Sequence, residues 1–363
     1  MTNMLKTNQP KKAWQVPVKQ RSKVMAIIFP GTDQNDHEDQ EVDPEVEMMQ
    51  DLISTCKADG TIKQYLPVIE DWKQFARKRG FNTRPATTEG LSRFISRKCI
   101  EGKSLAYFNN LSPALVFDHE SNNLPEKPTV CKAFIKNLIA GAKRKAAKDK
   151  APTRKADSIS KTQIHKILKS VFYENTNPNW IDCRTAMKIF VMYKTFCRFD
   201  CYSQLTTNSI KISSDCVEIV FDRSKNDQFY AGSHTYLAAI PNSDFCPVKI
   251  FKRFLNLFNF KTEKLAYLNC RIRTVGGVSS ALQEKQLSYT TSLENSKALL
   301  EKLNIKGKFS EKTFKVAGVS EASNQHVPLE DISSFGRWKN IETPRYYMNQ
   351  SKKRRMEVSK VVV

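Results

Sequence analysis

The chain has 363 residues, which at roughly 150 residues per domain makes two domains or three, each long enough to bury its own core. Its 59 Lys and Arg against 37 Asp and Glu leave a formal charge of +22, while 40% hydrophobic residues and 21 Phe are too apolar for a disordered polycation. No apolar run approaches the ~20 residues that cross a bilayer, the start MTNMLKTNQPKKAW lacks an apolar signal core, and nine scattered cysteines without a CxxC pair read as reduced intracellular thiols. Composition therefore argues against a membrane protein, a secreted protein and a disulfide scaffold.

Residues 1–44 mix Pro, Gln, Asp and Lys without periodicity and read as a disordered segment. Residues 45–142 read as a small helical bundle. In Thr61 to Ala76, apolar residues recur at three- and four-residue intervals, with Pro67 expected in the first turn and Gly80 ending the helix. Further helices are expected over Thr88–Ile100, Ser104–Phe117 and Thr129–Lys145. Residues 143–157 then hold Lys143, Arg144, Lys145, Lys148, Lys150, Arg154 and Lys155 with one acid among them, Asp149, and Pro152 discourages a helix, so the stretch reads as an extended basic linker. Such a linker suits a phosphate backbone, because each cation that neutralises a phosphate releases condensed counterions; a passive solvated connector is the plainer alternative.

In residues 158–350, Ser160 and Gln163 have capping-box spacing ahead of an apolar stripe at Ile164, Ile167, Leu168, Val171 and Phe172. A helix over Cys183–Phe196 precedes three short strands, Ile210–Ile212, Val217–Phe221 and Thr235–Ile240, the last two joined by a polar turn holding Lys225. Helices resume at Pro247–Phe258, Ser292–Leu303, Lys312–Asn324 and Leu329–Phe335. The fold class is mainly α with a small antiparallel sheet, and residues 351–363 form a basic tail whose Lys352 to Arg355 could equally be a nuclear-import address.

The sequence lacks GxSxG, HExxH, GxxxxGK[ST] and GxGxxG, and its five histidines show no metal-ligand spacing. Chemistry must then use cations and hydroxyls. Phosphoryl transfer fits such a set, since arginines can hold nonbridging oxygens while a phenolate attacks in line.

The string His326 to Tyr347, with Gly336-Arg337-Trp338-Lys339 nine residues ahead of a Tyr-Tyr pair, resembles the terminal box of tyrosine recombinases, in a form most similar to Crypton-type elements of eukaryotes. Arg198 with Leu205 is similar to the family's first arginine box, Lys225 to its β-hairpin lysine, and Thr61 to Phe75 to its SAM-like core-binding domain, one jaw of a C-shaped DNA clamp. The resemblance spans residues 45–350. It implies Tyr347 as nucleophile, with Tyr346 as the alternative register, Arg198 and Lys315 on the scissile phosphate, Lys225 as general acid, and Lys312 and Trp338 ordering the phosphate, with Arg337 among the DNA contacts. It further implies double-stranded DNA as partner, a tetramer on DNA, a nuclear location, and no need of metal or other cofactor, because the protein linkage conserves the phosphodiester energy. Two positions depart from the family. Lys315 stands where a second arginine is expected and Cys201 where an acid is expected, which leaves open a catalytically weakened, DNA-binding descendant.

Overall fold

In the computed structural model the chain divides into two compact units, residues 1–153 and 154–363. The structure describes residues 44–148, 156–174, 178–222, 232–258, 266–275 and 278–348, so the N-terminal segment, the basic tail, and Lys150, Arg154, Lys155 and Lys225 lie outside the described residues.

The first unit holds α1 (Pro44–Thr55), α2 (Asp59–Lys78), α3 (Thr88–Ile100), α4 (Leu105–Glu120) and α5 (Ala133–Lys148). Thr87 and Ser104 cap α3 and α4 by accepting the backbone N–H groups of Gly90 and Tyr107, which satisfies donors that a helix start leaves free. Ile69, Trp72 and Ala76 of α2 meet Leu91 and Phe94 of α3, Phe108 and Leu111 of α4, and Ile135 and Ile139 of α5 in one apolar core. Two expectations need correction. Pro67 sits inside α2, not in its first turn, and burial of Val68 and Ile69 next to it offsets the lost backbone bond of about 3 kcal/mol. The stretch read as an extended linker is helical through Lys148, because Ile135, Ile139 and Ala142 bury one face of α5 and carry the helix on into the basic residues.

The second unit begins with α6 (Lys161–Phe172), where Ser160 and Gln163 make both bonds of a capping box. The central α7 (Trp180–Thr195) is buried at every residue from Cys183 to Tyr193, including Arg184 and Lys188. A five-residue α8 (Phe199–Ser203), unforeseen in the sequence, leads into strands β1 (Ile210–Ile212), β2 (Cys216–Phe221) and β3 (Ser233–Ala238). They form an antiparallel meander in which Val217, Ile219 and Phe221 face the core at the strand period of two. After α9 (Pro247–Leu257) comes a second sheet, a two-stranded ribbon of β4 (Cys270–Val275) and β5 (Val278–Gln286), also unforeseen. The chain ends its described course with α10 (Tyr289–Lys302), α11 (Glu311–Asn324), α12 (Leu329–Phe335) and a 3₁₀ turn at Pro344–Tyr346. Among the described residues no helix is long and apolar enough to cross a membrane.

Candidate active site

The site is built where α11 crosses α7. Gly318 makes that crossing possible: a Cβ there would lie 1.9 Å from the Tyr193 carbonyl oxygen, so only glycine lets the two backbones approach. At the start of α11, Ser310 and Thr313 form a capping box, and Glu311 is buried against Lys188 of α7 at 2.5 Å. Lys312 and Lys315, one turn apart, then project on the same side of the helix. Their ammonium groups lie 4.9 and 4.5 Å from the centroid of the Tyr347 ring.

Tyr347 is fixed from three directions. Its ring stacks on Trp338 at 5.8 Å with 25° between planes, its carbonyl accepts the Ser320 hydroxyl at 3.2 Å, and the lysines cover its face. Trp338 in turn stacks on Phe196 at 6.3 Å, and this aromatic layer joins Val319 and Ile332 in a small apolar cluster. Gly336 permits the fold-back, since a Cβ there would meet the indole at 2.0 Å. Tyr346 differs sharply: it is 87% exposed. The phenol held by the site is therefore Tyr347.

Lys315 is the electrostatic centre. It is 3% exposed, and among the described residues it makes no hydrogen bond and no ion pair. Its Nζ is 4.7 Å from the Trp338 ring centroid as well as 4.5 Å from that of Tyr347. Burial first, then the charge of Arg198 and more weakly that of Arg337, disfavour its ammonium form; the Cys197 and Cys201 thiols favour it, and it titrates at about 7. Arg198, at the cap of α8, thus shares one neighbourhood with Lys315 and Tyr347 although 117 and 149 positions separate it from them in sequence. Burial pushes the Cys197 thiol up to about 12, which keeps it a neutral lining group.

Arg337, expected at the DNA, points inward. Its backbone is left-handed at φ 59°, and its guanidinium lies 4.1 Å from the Phe221 ring centroid. It donates to the Thr235 hydroxyl and, at 3.2 Å, to the Thr195 carbonyl. The φ > 0 turn after α12 swings the side chain under the sheet, where it ties β2 and β3 to the end of α7. Trp338, at 7% exposure, is a packing surface for Tyr347 and Lys315 more than an open phosphate ligand. Of the basic block, Arg144, Lys145 and Lys148 are exposed on α5 and Lys143 is half-buried.

Sequence reasoning missed the buried support beneath α11. Lys188 donates to the Ser292 carbonyl at 3.0 Å and hydroxyl at 2.8 Å, to the Ser296 hydroxyl at 2.5 Å, and to Glu311. The only available signal was a lysine within an apolar helix, and its partners lie more than 100 residues away.

No family model matches the sequence, and no curated protein matches it. Solved structures do. The chain is similar to the XerH site-specific recombinase bound to palindromic difH substrate in a post-cleavage complex, with a TM-score of 0.54, 15% identity, and coverage of 83% of this chain and 79% of that one. It is similar as well to XerH bound to difH substrate in a pre-cleavage complex, with a TM-score of 0.53, 13% identity, and coverage of 94% and 97%. At such identities the likeness concerns architecture: mainly helical, with small antiparallel sheets, the chain has the fold of the tyrosine recombinases.

Proposed function

We propose that this chain is a site-specific DNA recombinase that cuts and rejoins strands through a covalent 3′-phosphotyrosine at Tyr347. The observation that carries the reading is Lys315, a buried cation without an anionic partner among the described residues, set beside Arg198 and against the Tyr347 ring. A buried charge is costly unless paired, so a pocket that gathers cations around a phenol is complete only when an anion enters. A DNA phosphate is the anion that a phenol can also attack. Arg198 would hold its nonbridging oxygens, Lys315 would face the charge that grows on the phosphorane, Lys312 would steady the phosphate from the solvent side, and Lys225 would protonate the leaving 5′ oxygen.

The DNA-bound state of the two XerH structures supports duplex DNA as the partner. By the family resemblance of its sequence the active form is a tetramer on DNA, and the Gly336-Arg337-Trp338-Lys339 string supports a Crypton-type eukaryotic mobile element acting in the nucleus.

A nicked suicide substrate tests the reading. Incubation should trap an adduct that survives denaturant, persists in Tyr346→Phe and disappears in Tyr347→Phe. A second reading, a recombinase-derived protein that binds DNA without cutting it, is favoured by Lys315 and Cys201 standing where the family resemblance implies arginine and an acid. Salt-dependent binding with no adduct would select it; an adduct lost only in Tyr346→Phe would move the nucleophile by one position.

A further inference from the structure

We propose that Arg337 is a positioning residue: by closing the end of α7 it holds Arg198 in place opposite Tyr347. The proposal rests on the recombinase reading above and deepens it. Arg337 has a left-handed backbone at φ 59°, a conformation that strains an L residue and that glycine adopts freely. Strain of this kind persists only where the surroundings over-determine it. Here the side chain does so, with its guanidinium 4.1 Å from the Phe221 ring centroid and bonded to the Thr235 hydroxyl and the Thr195 carbonyl.

The Thr195 carbonyl is the decisive acceptor. Thr195 is the last residue of α7, and a helix leaves its final carbonyls without partners of its own. A left-handed end such as Phe196, at φ 55°, ordinarily satisfies some of them with the backbone N–H groups that follow. Among the described residues neither Phe196 nor Cys197 returns an N–H to the helix. The Arg337 guanidinium bonds there instead, at 3.2 Å, and its charge meets the negative end of the helix dipole. Arg198 follows three positions later as the cap of α8, where its carbonyl accepts the N–H groups of Cys201 and Tyr202 at 3.1 and 3.0 Å. Burial of Phe199 and Tyr202 fixes that helix. The short stretch that delivers Arg198 is thus anchored on its far side by α8 and on its near side by Arg337.

The next residue in the turn reaches the nucleophile. Trp338 stacks on Phe196 at 6.3 Å and on Tyr347 at 5.8 Å. One turn, Gly336 to Trp338, therefore grips the segment of Arg198 and the ring of Tyr347 with consecutive side chains. Attack in line requires the phenol and the phosphate clamp to address the same phosphorus, and a misplacement of about 1 Å can cost about 100-fold in rate. The Arg337 guanidinium itself faces the Phe221 ring and the end of α7, so it acts through Arg198 and not on the phosphate.

The test uses the full chain and a nicked duplex, with single-turnover adduct formation timed at saturating DNA. Arg337→Gly removes the guanidinium but suits the left-handed turn. It should bind the same DNA with wild-type affinity and form adduct about 10- to 100-fold more slowly. In an Arg198→Ala background the same change should cost less than about threefold, because the residue through which it acts is already gone. Where Arg198→Ala is too slow to time, a methylphosphonate at the cleavage position takes its place: with no charge on that group for Arg198 to hold, the defect of Arg337→Gly should shrink. Where Arg337→Gly does not fold, Arg337→Met, which keeps an apolar contact for Phe221 and loses the donors, carries the same expectations.

Equal slowing with and without Arg198 overturns the proposal and leaves the recombinase reading intact, since Arg337 would then be a packing residue only. A wild-type adduct rate in the Arg337 variant does the same, and weakened DNA binding at an unchanged rate would make Arg337 a DNA contact. DNA binding with no adduct even in the wild type overturns both.

Discussion

The ammonium of Lys188 and the carboxylate of Glu311 meet at 2.5 Å with both side chains only 1% exposed, joining the middle of α7 to the first turn of α11. Burial pushes the lysine below its ordinary range while Glu311 pulls the other way. The pair fixes the start of the helix that carries Lys312 and Lys315. Breaking it from one side leaves a buried charge uncompensated, which typically costs about 3 to 5 kcal/mol. Glu311→Leu should therefore lower the urea midpoint strongly, and adding Lys188→Met should return most of the loss, since a well-packed apolar pair commonly equals a buried ion pair. Two additive losses in the double mutant would mean that the residues do not act as a pair.

Gly318 makes a sharper structural test. The methyl of alanine would need to occupy space 1.9 Å from the Tyr193 carbonyl oxygen and 2.9 Å from the Phe196 ring, so α11 must move away from α7. Overpacking of this kind costs about 1 to 3 kcal/mol. The shift would also displace Lys315 from Tyr347, so Gly318→Ala should lose adduct formation by a larger factor than its stability loss accounts for. Denaturation and suicide-substrate trapping on the same preparation check both effects.

The helices that carry the site are legible in the sequence because their signals are local. Ser160 and Gln163 announce α6, the two lysines three positions apart share a face of α11, and the interval from Trp338 to Tyr347 fits their stacking. What escapes the sequence is set by distant contacts. Arg337 reads as a DNA contact until β3 supplies Thr235, 102 positions away, and β2 supplies Phe221. The ribbon of β4 and β5 has alternation in Cys270 to Val275 and a Gly276-Gly277 turn signal, yet Arg271, Arg273, Thr274 and Ser280 lie exposed while Cys270 is buried and Ile272 and Ala281 are half-buried, a pattern fixed by packing on the distant core. Local preference alone puts Pro67 at a helix start, and burial of its neighbours in the core overrides that preference.

The buried titrations shape stability against pH. Lys315 titrates at about 7 when folded and near 10.5 when unfolded, so between those values the unfolded chain binds more protons and stability rises with pH. Below about 7 both forms are charged, and the cost of burying the ammonium is carried in full. The thiols work in the opposite direction: burial pushes Cys183 and Cys197 up to about 12 and Cys270 to about 11, so above 9 the unfolded chain sheds protons that the folded chain retains. Urea midpoints should therefore climb from neutral pH, pass a maximum and fall in the alkaline range. Lys188, held at about 8, adds to the same climb at higher pH, so in Lys315→Met the part of the climb that starts near 7 should be lost while the later part and the alkaline fall stay; an unchanged climb from 7 would show that Lys315 is not the titrating group.

The helical character of residues 143–148 changes how the basic block meets a polyanion. On α5, Arg144 and Lys148 are one turn apart and Lys145 lies three residues before Lys148, so the exposed cations form a ridge along the helix surface. A ridge held by a packed helix meets phosphates without first ordering a chain, which removes an entropic cost that an extended linker would bear. Each phosphate it neutralises adds about 0.9 to the slope of log affinity against log salt. Replacing Arg144, Lys145 and Lys148 by Ala should weaken duplex binding to a similar extent for all sequences and reduce that slope by about one per lost contact. Fluorescence anisotropy over a salt series checks it. Because none of the three lies in the pocket around Tyr347, the adduct rate at saturating DNA should stay at the wild-type level, and a fall in that rate with an unchanged salt slope would mean that the ridge acts on folding instead of on DNA.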